Sequence, residues 1–148
     1  MKFVGVMFLL MMVSGCSIKQ SVKPVTVIAR GAEVCIVENL DVRESFLEAY
    51  KQELRDKSLV VKMLPFDADR AQCAWSSTYV ARWRWDLALY MAFARINIYH
   101  QGRYAGGVFY DAQSGGGGLR KFISAEEKLR ELVDQMFPHL LSEGEEPD

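Results

Sequence analysis

The sequence predicts an α+β domain: a two-layer sandwich in which two amphipathic helices lie on one face of a four- or five-stranded, mostly antiparallel sheet. Three observations predict it. Two segments, 41–57 and 124–140, carry apolar residues at helical spacing. Between them, 78–110 alternates with a period of two, the mark of a sheet with one buried and one wetter face. Short β-branched runs flank the first helix, so the element order is β-α-β-β-β-β-α. A helix with a single apolar stripe must bury it, and the inner face of a sheet is the matching surface.

In chain order, Glu33–Val37 reads as the first strand of the folded domain. Asp41 offers an N-cap oxygen to the helix that follows, and Glu44 stands three residues on to reciprocate. Phe46, Leu47, Tyr50 and Leu54 form that helix's apolar face, while Lys51, Arg55 and Lys57 sit toward the negative end of its dipole. Leu59–Leu64 is the second strand, ended by Pro65, and a loop through Asp67, Asp69 and Cys73 follows.

From Thr78 to Asp86, the residues Tyr79, Ala81, Trp83 and Trp85 alternate with Val80, Arg82 and Arg84. From Tyr90 to His100, Ala92, Ala94, Ile96 and Ile98 alternate with Met91, Phe93, Arg95, Asn97 and Tyr99. Gln101-Gly102 turns the chain into a strand at Tyr104–Tyr110, where Gly106-Gly107 marks a bulge or the close approach of a helix. Gly115–Gly118 reads as a linker, because no P-loop lysine or nucleotide fingerprint accompanies it. Ser124 caps the last helix with Glu127 completing the box. Leu129, Leu132, Val133, Met136, Phe137 and Leu140 share its apolar stripe until Pro138.

Of 148 residues, half are apolar and a quarter charged, the profile of a folded globular chain. The 18 Lys plus Arg nearly balance the 19 Asp plus Glu, so no global field argues for nucleic acid. Three cysteines are present. Cys35 and Cys73 are read as a disulfide, which closes a loop of about 38 residues; two separately buried thiols are the alternative. Two cysteines and the distant His100 and His139 make no metal cluster, and no cofactor is implied.

The N-terminus supplies an address. Lys2 is followed by an apolar run, Phe3–Val13, too short to span a bilayer and of the length of a signal-peptide core. Val13-Ser14-Gly15-Cys16 resembles the lipobox of bacterial lipoproteins. That resemblance implies diacylglycerol on the Cys16 thiol, removal of residues 1–15, and acylation of the new amino group. Each buried methylene contributes about 0.8 kcal/mol, so two or more chains anchor firmly. Ser17 is not the Asp that retains enteric-type lipoproteins in the inner membrane, so the expected site is the outer membrane, facing the periplasm. The chain is thus divided into a signal peptide 1–15, a lipidated tether 16–32 with one short strand at Val25–Ala29, a single domain 33–141, and a disordered acidic tail 142–148.

Three segments together resemble the Sbal-type family of small Gram-negative lipoproteins: Cys35-Ile36-Val37, the run from Thr78 to Asp86, and Lys121–Lys128. The resemblance implies a lipoprotein without implying an activity. The two-layer order is also similar to the amino-terminal domain of TolB and to lipoprotein activators of peptidoglycan synthases, a likeness of architecture alone.

Catalytic candidates are few. His100 falls at a hairpin turn and His139 at a helix end, both read as surface residues; Ser76, Ser77 and Thr78 lack a nucleophile-elbow pattern. Binding is the better-supported class. Arg82, Arg84, Phe93, Arg95, Asn97 and Tyr99 share the wetter sheet face, and arginine with aromatic rings is the mixture enriched where proteins meet partners. The competing account is that arginine stems shelter the rings. The sequence therefore reads as a non-catalytic envelope adaptor that docks an envelope protein or peptidoglycan. The alternative is a periplasmic small-molecule binder or enzyme with an unrecognised site.

Overall fold

The structure, a computed structural model, describes residues 18–113 and 119–142. It is α+β: six strands form one open mixed sheet, accompanied by two helices. The strands are β1 (Lys19–Lys23), β2 (Glu33–Val37), β3 (Val60–Leu64), β4 (Trp75–Asp86), β5 (Ala88–His100) and β6 (Arg103–Asp111). The helices are α1 (Glu44–Asp56), between β2 and β3, and α2 (Ala125–Met136), after β6. Across the sheet the order is β1-β6-β5-β4-β2-β3.

Three of the five pairings are antiparallel, as expected, and two features depart from the expected four- or five-stranded sheet. First, β2 runs parallel to both β3 and β4, the pairing that a helical crossover permits and a hairpin does not. Second, a sixth strand comes from the stretch expected to be a tether. The strand expected at Val25–Ala29 lies earlier, at Lys19–Lys23, where KQSVK pairs antiparallel with β6. Val25 and Ile28 are instead core residues. The β1 ladder depends on backbone hydrogen bonds to β6, and its mostly exposed side chains carry little apolar signal.

Both helices cover the same sheet face. Phe46 and Tyr50 of α1 meet Tyr79 of β4, and Leu129, Leu132, Val133 and Met136 of α2 join the same core. Ser124 accepts the Glu127 N–H at 3.1 Å, the predicted cap. The first helix differs: Arg43 occupies its N-cap without a side-chain bond, and Asp41 donates its N–H to Asn39 Oδ1. Asn39 is the anchoring residue of that loop, with Nδ2 on the Tyr79 carbonyl at 2.9 Å and its own N–H on the Tyr79 hydroxyl.

The hairpin turn Gln101-Gly102 has positive φ at both residues, the twist that joins two right-handed strands tightly. The Gly106-Gly107 expectation resolves both ways: the β5–β6 register shifts beside Gly106, between Ile98 and Tyr99, and the close approach is by backbone, a Cβ at Gly106 lying 2.5 Å from the Lys23 carbonyl oxygen. Cys35 and Cys73 form a disulfide with Cα atoms 6.2 Å apart. Cys35 alternates with Val34 and Ile36, which face the helices, so the bridge staples the β3–β4 connection over the opposite face of β2. That connection covers one side of the second face and leaves β4, β5, β6 and β1 open.

Candidate functional site

The open face is built by alternation along β4 and β5. Opposite pairs run Ser76–Tyr99, Thr78–Asn97, Val80–Arg95 and Arg82–Phe93, so five of the six predicted residues lie in one ladder. Arg84 follows beyond a register shift between Arg82 and Trp83 and pairs with Tyr90. Arg82, Arg84 and Arg95 are exposed, while Phe93, Asn97 and Tyr99 are half-buried.

Neighbouring strands add residues that the sequence reading missed. Phe109 of β6 stands opposite Arg95, Tyr104 opposite Tyr99, and Lys23 of β1 opposite Gly107. Arg70, in a 3₁₀ turn of the stapled connection (Arg70–Gln72), places its guanidinium 4.3 Å from the Tyr99 ring centre. Continuing the alternation through the Gln101-Gly102 turn would have found Phe109. Nothing in the sequence announces Arg70, which arrives by tertiary packing.

Rings and cations interleave here. Arg95 lies 5.8 Å from the Phe93 centroid and 5.2 Å from that of Phe109; Lys23 lies 4.8 Å above Tyr104. Phe93 meets Phe109 edge-on, as does Tyr99 with Tyr104. Such contacts draw cations toward the electron-rich faces of the rings. Among the described residues, Lys19, Lys23, Arg70, Arg82, Arg84 and Arg95 make no ion pair. Asp111, on the same face, accepts the Gln113 N–H at 2.8 Å. A chain of net charge −1 thus gathers five of these cations on one open face, Arg84 lying beyond the register shift opposite the core residue Tyr90. Between β1 and β5 this face dips into an open groove of about 450 Å³ floored by Gly107 and lined by Lys23, Arg95, Asn97, Tyr104 and Phe109.

The other candidates fall elsewhere. His100 is not a free surface residue: it stacks on Trp75, ring centres 4.1 Å apart. His139 is exposed. Ser77 is fully buried and shares a 2.7 Å hydrogen bond with Tyr50. Burial pushes the phenols of Tyr50, Tyr79 and Tyr110 above their usual range. Hydrogen bonding to Lys128 holds Glu131 below the usual carboxylate range. Glu33, Cys35 and Cys73 bring metal-ligand atom types together, but the two sulfurs are bonded to each other. A cleft of about 270 Å³ opens between the N-terminal ends of α1 and α2, with Phe46, Trp83, Tyr90, Met91, Phe122 and Leu129 beside Arg43, Ser45 and Glu126. Cys16, Gly115–Gly118 and residues 143–148 lie outside the described residues.

No family model and no curated protein sequence is similar to the chain. Among solved structures, the fold matches PelC from Paraburkholderia phytofirmans, crystallised as a dodecamer. The match covers 82% of this chain and 98% of that one, at 15% identity and a TM-score of 0.56. A point variant of the same PelC, also a dodecamer, matches over 81% of this chain and 94% of that one, at 13% identity and a TM-score of 0.53. At that identity the likeness is one of fold.

Proposed function

We propose that this chain is a lipid-anchored protein of the bacterial cell envelope, acylated at Cys16, whose domain is a non-catalytic binding module. The observation that carries the reading is the open arginine–aromatic face, with five cations that make no ion pair among the described residues around Phe93, Phe109, Tyr99 and Tyr104. Such a face suits an anionic partner, a peptidoglycan strand or an acidic surface of an envelope protein. The disulfide supports an oxidising compartment, the lipobox resemblance supports the outer membrane facing the periplasm, and the resemblance to Sbal-type lipoproteins points the same way. Co-sedimentation with isolated peptidoglycan, together with crosslinking in cells, tests the reading. Arg82→Glu plus Arg95→Glu is expected to abolish capture while the fold is retained; unchanged recovery would contradict it.

A second reading, self-assembly, is favoured by the dodecameric state of PelC and by apolar exposure along the edge strand β3, where Val60 and Met63 are 50% and 37% exposed. Sedimentation velocity of the purified chain distinguishes a monomer from a closed oligomer.

A further inference from the structure

The β4–β5 hairpin ends in apolar side chains that stand largely exposed among the described residues. Leu87 and Trp85 are the most exposed large apolar residues described, at 89% and 75%, with Leu89 beside them at 49%. The turn itself is unusual. Leu87 has φ +61°, a left-handed conformation that glycine adopts freely and leucine does not. A solvated turn gains nothing from a leucine in that position.

Register places this hairpin relative to the N-terminus. Lys19 pairs with Asp111, Asp111 with Phe93, and Phe93 with Arg82, one row across β1, β6, β5 and β4. β1 begins in this row and β4 leaves through it, so the hairpin and the first residue of β1 lie at the same end of the sheet. Past the row, β4 and β5 continue as a two-stranded ribbon from Arg82 to Asp86, about 13 Å at strand rise. From Lys19 back to Cys16 is three residues, at most about 11 Å of extended chain. The two reaches match. Their lateral separation is three strand spacings, about 14 Å.

We infer that the tip formed by Trp85, Leu87 and Leu89 enters the lipid leaflet that holds the acyl chains of Cys16, a second and non-covalent membrane contact that orients the domain. The inference rests on reading Cys16 as the lipid site. The side chains suit the depth order of a leaflet: Leu87 at the apex, Leu89 paired with the amphipathic Trp85 behind it, and Arg84 and Arg82 farther back, at the level of anionic headgroups. Asp86, the acid within the tip, is ion-paired with Lys121, which reduces its cost near lipid. Acyl chains alone let a domain swivel, and a second contact some strand spacings away stops it. The cationic face then holds a constant angle to the membrane.

Depth-dependent quenching tests this. The full chain, expressed in a Gram-negative host and purified, is reconstituted in vesicles of phosphatidylethanolamine and phosphatidylglycerol containing acyl-brominated lipid. Loss of tryptophan emission is expected for the native chain and is expected to vanish in Trp85→Phe, which retains Trp75 and Trp83. Leu87→Asp, at a solvent-facing site that the fold does not need, is expected to lose the same quenching. Quenching that is equal in native chain and Trp85→Phe overturns the inference, as does a Trp85 that resists both bromine and aqueous quencher only when copies of the chain associate. The mass of the N-terminus in the same preparation separates the two readings. An acylated Cys16 with unquenched Trp85 sinks the hairpin alone; an unmodified N-terminus with quenched Trp85 sinks the lipid anchor alone.

Discussion

Arg82 and Phe93 face each other across β4 and β5, the guanidinium 5.3 Å from the ring centre, and Arg95 shares the same ring from the next pair. The ring is a platform for two cations that have no carboxylate among the described residues. Phe93→Leu keeps the apolar area and removes the π face. It is expected to lower unfolding free energy by about 1 kcal/mol and to weaken partner capture more than that change alone explains. Denaturant titration beside the peptidoglycan sedimentation assay checks both, and capture by the native chain should fall as salt rises.

Two buried phenols make a contrast. Tyr50 shares its hydroxyl with Ser77, whereas the Tyr110 hydroxyl is buried without a hydrogen-bond partner. Tyr50→Phe is expected to cost about 1–3 kcal/mol because it orphans a buried serine, and Tyr110→Phe to be neutral or stabilising. Alkaline pH sharpens the test. Burial raises the Tyr50 phenol from its ordinary value of 10.0, so above that pH the unfolded chain releases a proton that the native state keeps. The stability this group contributes is complete below pH 10 and declines above it, by about 1.4 kcal/mol per pH unit. Denaturation curves at pH 9 and above 10 should diverge more for the native chain than for Tyr50→Phe.

The Cys35–Cys73 bridge spans 38 residues and fixes the connection that carries Arg70 to Tyr99. Replacing both cysteines by alanine is expected to remove roughly 4 kcal/mol in the chain-entropy account. It should also loosen the 65–74 connection, seen as faster hydrogen exchange there than in β5.

Leu87→Gly separates stability from membrane contact. Relieving a left-handed leucine is expected to stabilise the domain by about 1 kcal/mol. The same change deletes the apex side chain, so bromine quenching of Trp85 should fall as stability rises. A variant that loses stability would show that the leucine packs within the fold.

Helix α2 was legible from its cap onward, because cap chemistry and four buried residues at helical spacing agree on it, although the helix ends at Met136 and leaves Leu140 of the expected stripe beyond it. The α1 cap was not, since Asn39 bonds across to Tyr79 in place of an Asp41 cap. Edge strand β1 was hidden because its ladder is backbone chemistry, and the parallel setting of β2 because alternation carries no direction. Trp85 was expected in the core by strict alternation. The register shift after Arg82 and the ribbon beyond the sheet put it in solvent. For the open face, period-two reading placed Arg82, Phe93, Arg95, Asn97 and Tyr99 together. Lys23, Phe109 and Arg70 came from pairing and packing between distant segments.

Membrane attachment depends on the chemistry of one thiol, that of Cys16. Mass spectrometry of the N-terminal peptide of protein purified from membranes should show a chain starting at Cys16, with a diacylglyceryl group on sulfur and a fatty acyl group on its amino nitrogen. A peptide that retains residues from 1–15, or a Cys16 bearing neither group, would contradict it.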